Sequence, residues 1–172
     1  MSQPNEERPR VRNAGVADLD QVSLLIRDAY QEYQANFSPE VWERYAWDIM
    51  DVRSRFETSE LIVAENSGGL VGAVTFYPNT PLSDQGEWPA GWTGIRLLAV
   101  HPDARGMGVG RALMDECLRR SRLREATALG LHTTELMSVA QRMYERMGFV
   151  RAPEYDFQAG PKVVVMGYRL DL

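Results

Sequence analysis

The sequence has 172 residues, of which 44% are apolar and 25% are charged, which is typical of one globular domain with a buried core. The net charge of −5 argues against a nucleic-acid partner, because such binding needs an excess of Lys and Arg to neutralise phosphates. A single cysteine, Cys117, excludes an internal disulfide, and two histidines without cysteine partners lack a zinc-binding spacing. We therefore expect no metal.

The two ends of the chain carry no segment typical of secretion or membrane insertion. Residues 1–10 are too polar for a signal peptide, and the aliphatic run at residues 163–166 is far too short to cross a bilayer. We expect a cytoplasmic protein without a membrane partner. Residues 1–8 are predicted to be a flexible polar tail, followed by one domain over residues 9–172.

Apolar and β-rich runs predict the order strand-helix-helix-strand-strand-strand-helix-strand-helix-strand-strand, an α/β (α+β) domain with a mixed sheet. The predicted strands cover residues 9–13, 61–65, 70–77, 93–101, 127–132, 149–151 and 162–170. The predicted helices cover residues 16–33, 41–56, 109–123 and 138–147. Ser38 with Pro39 is expected to begin the second helix, and Gly148 to end the last one.

A glycine turn, defined as residues 105–110 (Arg-Gly-Met-Gly-Val-Gly), connects a predicted strand to the helix at residues 109–123. Glycines let a backbone approach a ligand closely, and the free N–H groups and dipole of a helix N-terminus favour a pyrophosphate. An ordinary strand-to-helix turn is the alternative. A dinucleotide-binding motif is excluded, since Leu113 stands where its third glycine would be, and the chain has no P-loop motif.

The glycine turn and the strand before it resemble the signature of the GNAT-superfamily N-acetyltransferases. That signature is [Arg/Gln]-x-x-Gly-x-[Gly/Ala] after a strand ending in Leu-Ala-Val-x-Pro, and residues 98–102 (Leu-Ala-Val-His-Pro) followed by residues 105–110 match it. The predicted order of elements is also similar to that family over nearly the whole chain. The resemblance implies a GNAT-like single domain that uses acetyl-CoA as co-substrate.

The resemblance also implies which residues bind acetyl-CoA. Strand backbone groups would meet the pantetheine arm, and the glycine turn would surround the pyrophosphate. The implied residues are Leu98, Ala99, Val100, Arg105, Gly106, Met107, Gly108, Val109, Gly110 and Arg111.

The segment around Tyr144 resembles the part of the family that lies near the coenzyme sulfur. Tyr144 is therefore implied as a coenzyme contact and as the general acid. Met137 stands where many members carry an Asn that contacts pantetheine, and Ser138 is the adjacent polar residue. Ser138 is either a coenzyme contact or, with Gln141, a capping box that begins the last helix.

Acetyl transfer to an amine needs a donor for the developing oxyanion and a base for the amine proton. The N–H of Val100 is the candidate donor. His132, at the end of a predicted strand, is the candidate base, because an unperturbed imidazole titrates near pH 6.5. The other candidates are a water relay and four carboxylates: Glu57, Glu87, Glu135 and Asp156.

Acidic and Trp-rich segments, at residues 38–60 and in the predicted loop at residues 78–91, lie over the acceptor site by analogy with the family. They either attract cationic amines or are an ordinary solvated helix face with core tryptophans.

We expect an N-acetyltransferase that acts on a primary amine, of a small molecule or a peptide, in a direct ternary complex. The alternatives are a silent acyl-CoA-binding regulatory module and an acyltransferase with another acyl chain or nucleophile. The acceptor and the oligomeric state stay open, a homodimer being one candidate.

Overall fold

A mixed sheet runs through the described part of the chain, which comprises residues 8–79, 88–160 and 162–172 of a computed structural model. Among these residues the strands are β1 (Arg10–Asn13), β2 (Glu60–Asn66), β3 (Gly69–Tyr77), β4 (Trp92–Val100), β5 (Ala128–Thr134), β6 (Val150–Arg151), β7 (Phe157–Gly160) and β8 (Val163–Asp171). Their order is β1-β2-β3-β4-β5-β8-β6, with β7 also paired to β8. β4 and β5 are parallel, whereas β5 and β8 are antiparallel, which confirms the predicted mixed sheet.

The helices follow the predicted order with one correction. They are α1 (Leu19–Tyr30), α2 (Pro39–Met50), α3 (Val52–Phe56), α4 (Val109–Leu123) and α5 (Ser138–Arg146). The structure confirms the bounds predicted for α4 and the helix start at Ser38, whose hydroxyl accepts a 3.4 Å hydrogen bond from Val41 N. Gly148 follows α5 at φ +94°, the left-handed conformation that ends many helices.

The single helix predicted over residues 41–56 is wrong, because Asp51 separates α2 from α3. Its backbone leaves the helical region, at φ −74° and ψ 65°. Its carboxylate caps α3, accepting hydrogen bonds from the Ser54 N–H at 3.3 Å and the Ser54 hydroxyl at 2.5 Å. Asp side chains favour this position because they satisfy N–H groups that a helix start leaves unpaired.

Strand β7 lies in a segment that was predicted to be only a connection. Phe157 and Gln158 pair with Val165 and Val164 of β8, and the register shifts before Gly160. Such a short, exposed edge strand carries little alternation of apolar and polar residues, so its pairing is set by β8.

The chain divides into two compact units. The first comprises residues 1–75 and 97–116, and the second residues 76–96 and 117–172. In the first, Ile62, Val74 and Leu113 are fully buried core residues. In the second, Leu129 and Cys117 are fully buried.

Within the described residues, no three His, Cys, Asp or Glu side chains gather as a metal site requires. None of the described helices combines the length and the apolar character needed to cross a bilayer.

Candidate functional site

Strand β4 is distorted just before the residues predicted to meet pantetheine. Leu97 has φ +54°, a left-handed conformation that is uncommon for any residue except glycine. Beyond this distortion, the Tyr30 hydroxyl of α1 donates a 3.3 Å hydrogen bond to the Leu98 carbonyl. The His101 N–H donates to the Val71 carbonyl of β3 at 2.9 Å. Residues 98–100 are therefore held at both ends, and Tyr30 is a contributor that the sequence did not reveal.

Two glycines of the glycine turn have backbone conformations that other residues rarely adopt. Gly106 and Gly108 have φ values of +77° and +76°, and a Cβ placed on either would meet nothing within 4 Å. These positions therefore need glycine for its backbone conformation and not for want of space. The Gly108 carbonyl accepts a 2.9 Å hydrogen bond from Ala112 N, so α4 begins at Val109, within the glycine turn.

The first turn of α4 favours negative charge. A helix leaves its first N–H groups without intrahelical partners, and its dipole is positive at this end. The first turn of α4 contains no acidic residue. It contains Arg111, whose exposed guanidinium also contacts Asp115 at 2.8 Å. The end of α4 that follows the left-handed glycines therefore carries no negative charge of its own in its first turn.

The side chain of Arg105 is bound to the protein. Its guanidinium donates to both carboxylate oxygens of Glu32, at 2.9 and 3.1 Å, and to the Ala29 carbonyl at 3.0 Å. These bonds tie the start of the glycine turn to the end of α1. The guanidinium of Arg105 therefore positions the turn, whatever its backbone contributes to a ligand.

Close packing fixes the start of α4 against the sheet of the first unit. Val109 is buried and lies over Gly72 of β3. A Cβ at Gly72 would lie 2.6 Å from Val109 Cγ1 and 2.9 Å from Leu113 Cδ1. Met107, by contrast, is 57% exposed. Val109 thus anchors the glycine turn, whereas Met107 faces solvent.

Tyr144 lies on α5 in the second unit, and its side chain is 5% exposed. Its ring centroid is 5.7 Å from that of Phe149, and its carbonyl accepts a 3.0 Å hydrogen bond from Phe149 N. The ring is therefore fixed by the turn that follows the helix.

The capping box predicted for Ser138 and Gln141 is wrong. Met137 is the N-cap residue of α5, no side chain caps the helix, and Ser138 is the first helical residue. Gln141 Nε2 instead donates to the Thr134 carbonyl at 2.5 Å, and Met137 N donates to the same carbonyl at 3.0 Å. The helix begins one residue too early for the box, because its start folds back onto the end of β5.

His132 lies on β5 among aromatic rings of the second unit. Its ring stacks on Trp88 at a centroid distance of 4.6 Å and packs edge-on against Phe157 at a centroid distance of 5.1 Å. Nε2 lies 2.9 Å from the Tyr155 carbonyl. A carbonyl only accepts hydrogen bonds, so Nε2 carries a proton and Nδ1 of the neutral ring has the lone pair. Burial lowers the pKa of His132, which favours this neutral form.

The carboxylates proposed as alternative bases differ in their surroundings. Asp156 pairs with Arg151 at 2.7 Å and accepts a 2.8 Å hydrogen bond from Gly167 N. Arg151 lowers the pKa of Asp156, which makes it a weak base. Glu57 and Glu135 are exposed. Glu87 and the nearby acid Asp84 lie outside the described residues.

The acidic and Trp-rich part of α2 contributes to a concave surface of the first unit. Asp20 of α1 and Glu43, Asp48, Trp42 and Trp47 of α2 are among the residues that line a cavity of about 920 Å³. Trp47 is 82% exposed, whereas Trp42 is 9% exposed. The predicted acidic surface therefore exists on α2, with one of its two tryptophans largely in the core.

Curated relatives of this chain are named acetyltransferases. The chain is 31% identical over 157 residues to a mycothiol acetyltransferase of Cellulomonas flavigena, an alignment that covers 86% of this chain and 44% of that protein. A mycothiol acetyltransferase of Thermobispora bispora is 32% identical over 115 residues, which cover 63% of this chain and 38% of the relative. The chain thus spans less than half the length of these relatives.

Solved structures share the fold at low sequence identity. The coenzyme A complex of the PaiA N-acetyltransferase of Thermoplasma acidophilum has a TM-score of 0.70 at 15% identity, covering 92% of this chain and 97% of that one. The family model described as the Acetyltransferase (GNAT) family matches residues 25–149. The chain therefore belongs to the GNAT acetyltransferase family.

Proposed function

We propose that this protein is an acetyl-CoA-dependent N-acetyltransferase that transfers the acetyl group to a primary amine, of a small molecule or a peptide, in a direct ternary complex. The observation that carries the proposal is the glycine turn, with two left-handed glycines directly before α4. Family membership and the acetyltransferase names of the relatives support the same reaction.

Residues of the first unit are proposed to bind the donor substrate. Backbone N–H groups of residues 106–111 would bind the pyrophosphate, with the dipole of α4 and Arg111 adding positive potential. On β4, the Leu98 carbonyl already accepts a hydrogen bond from Tyr30. The Val100 N–H is proposed to donate to the acyl oxygen, where negative charge develops during transfer. Acetyl-CoA supplies the activated acetyl thioester when bound.

Two residues of the second unit are proposed to move protons. The Tyr144 hydroxyl donates to the departing sulfur, supported by its place in a segment that resembles the family's. His132 takes the proton of the amine at Nδ1, the nitrogen that the Tyr155 carbonyl leaves unprotonated. Ser138, exposed in the first turn of α5, remains a proposed coenzyme contact.

A thiol-release assay tests the proposal. Acetyl-CoA is incubated with the protein and a panel of polyamines, aminoglycosides, amino acids and peptides, with acetyl-CoA alone as control. We expect release of coenzyme A that depends on one class of amine. Tight binding of acetyl-CoA without turnover on any amine would instead favour a silent acyl-CoA-binding module, and turnover only with longer acyl donors would point to another acyl chain.

A further inference from the structure

The indole of Trp88 lies on a pair of glycines in neighbouring strands. Gly94 of β4 and Gly130 of β5 are partners in the parallel register. A Cβ at Gly130 would lie 2.8 Å from two atoms of the Trp88 ring, and one at Gly94 would lie 3.5 Å from it. These two adjacent glycines thus leave a shallow depression on the sheet, and the indole occupies it. Trp88 is accordingly only 6% exposed.

The same indole forms one wall of the His132 site. His132 follows Gly130 by two residues and therefore lies on the same face of β5. The imidazole and indole planes are inclined by 27° at a centroid distance of 4.6 Å. The indole also packs against Trp92 and Tyr155, at ring-centroid distances of 5.4 and 4.9 Å. The indole is therefore held by the sheet below it and by two further rings.

We infer that Trp88 is a positioning residue for His132, which it holds in the orientation that presents Nδ1 as the proton-accepting nitrogen. The inference rests on the proposed function, in which His132 is the base. Stacking on Trp88 and the Nε2 bond to the Tyr155 carbonyl constrain the ring in two different directions. The hydrogen bond fixes the position of Nε2, and the stacking fixes the plane of the ring.

Charged groups around His132 bear on its protonation. The negative charge of Asp156 favours the protonated imidazole. Arg151 of β6 forms an ion pair with Asp156 at 2.7 Å and so neutralises much of that charge. Arg169 of β8 shares this face of the sheet by register and lies 3.8 Å from Glu154. Arg96 of β4 follows Gly94 by two residues on the same face.

Burial by apolar rings has the largest effect on the pKa of His132, and it outweighs the two effects that favour the protonated ring. Burial lowers the pKa of His132, whereas the bond to the Tyr155 carbonyl and the charge of Asp156 raise it. Since Trp88 covers one face of the imidazole, removing the indole admits water to that face. The pKa of His132 should then rise toward the ordinary value of about 6.5.

The test is NMR titration of the imidazole nitrogens, which reports the tautomer and the pKa without any acceptor. The chain has two histidines, so His101 in the first unit serves as an internal control. In Trp88→Leu we expect the titration midpoint of His132 to rise and the single tautomer to become a mixture. Trp88→Phe, which keeps a ring, should retain the tautomer. Trp47→Leu, at an exposed tryptophan, should change neither histidine.

Gly130→Ala gives an independent probe that leaves the indole in the chain. Its methyl would meet the indole at 2.8 Å and displace it, so His132 should respond as in Trp88→Leu. An unchanged midpoint and tautomer in both folded variants would overturn the inference.

The pH profile of kcat/KM separates this inference from the proposed function. Below its pKa His132 is protonated and cannot accept a proton, so in Trp88→Leu the acid limb should move to higher pH together with the NMR midpoint. If the NMR midpoint moves and the acid limb does not, Trp88 still positions His132, but His132 is not the base.

Discussion

Arg105 and Glu32 form a two-pronged ion pair that joins the start of the glycine turn to the segment following α1, with N–O distances of 2.9 and 3.1 Å. Both side chains are more than 40% exposed, and exposed pairs contribute only about 0.2–1 kcal/mol to stability. The pair therefore matters more for the placement of the turn than for folding.

Replacing Arg105 should accordingly affect the donor substrate more than stability. Arg105→Lys keeps the charge but loses the two-pronged geometry and the bond to Ala29. We expect the Kd for acetyl-CoA to rise several-fold by calorimetry, with a small change in Tm. Arg27→Lys, which perturbs another exposed ion pair, with Asp28, is the matched comparison. A lower Tm with unchanged affinity would make Arg105 an ordinary surface anchor.

Gly108 should be required for acetyl-CoA binding because of its backbone conformation. At φ +76°, an added Cβ costs roughly 1–2 kcal/mol, although the space around it is open. Gly108→Ala should move the N–H groups at the start of α4 and weaken acetyl-CoA binding at least tenfold, and Gly108→Val more so. Gly15→Ala, at an ordinary φ of −97°, is the control. Unchanged affinity for acetyl-CoA in folded Gly108→Ala would contradict the proposal that the glycine turn binds the pyrophosphate.

Gly72, by contrast, should be required for packing. A methyl there would lie 2.6 Å from Val109 Cγ1, 2.9 Å from Leu113 Cδ1 and 3.2 Å from the Ala99 carbonyl. Forcing extra volume into a packed core costs about 1–3 kcal/mol, which urea denaturation of Gly72→Ala should measure. The loss in the double variant with Val109→Ala should be smaller than the sum of the two single losses. If the two losses simply add, the clash is not with Val109.

Local patterns allowed the sequence to predict the elements around the site. The bounds of α4 were predictable because its apolar period begins directly after the glycines, and Gly148 marks the end of α5 for the same kind of reason. The start of α3 was missed, although Asp51 three residues before Ser54 is a recognisable cap. A local signal was present there and was outweighed by helical periodicity.

Long-range contacts account for what the sequence did not predict. The left-handed Leu97 has no local cause, since leucine does not favour positive φ. The bonds of Tyr30 to Leu98 and of Arg105 to Glu32 join residues 68 and 73 positions apart. The place of Trp88 over Gly94 and Gly130 likewise depends on strand register.

Asp156 should make stability depend on pH at the acid end. Its pKa is lowered by Arg151, so its contribution is present above the unfolded value of about 3.9 and is lost as the pH falls through the lower folded value. Asp156→Asn should lower Tm by a few degrees at pH 7, and the difference from wild type should shrink as the pH falls below the unfolded pKa of about 3.9. Asp115→Asn, at an exposed pair, should change Tm little. A difference that persists at pH 2 would point to lost hydrogen bonding by Asp156 and not to its charge.

Tyr144→Phe separates the proposed acid from a buried aromatic. The variant keeps the ring that packs on Phe149 at 5.7 Å and removes only the hydroxyl. Positioned acid catalysis contributes about 10²–10⁴-fold, but a thiol with a pKa near 8.5 leaves fairly well as the thiolate. We therefore expect turnover to fall by about 10²-fold, the lower end of that range, at saturating acetyl-CoA.

The control for this experiment removes another hydroxyl near the same helix. The Tyr168 hydroxyl donates to Glu145 of α5 at 3.3 Å and has no proposed part in the reaction. Tyr168→Phe should therefore leave turnover within a few-fold of wild type while testing how α5 tolerates a lost hydrogen bond. Because Tyr144 is 5% exposed, Tm must be measured for both variants. A folded Tyr144→Phe protein with wild-type turnover would remove Tyr144 from the mechanism and leave its ring a purely structural part of the second unit.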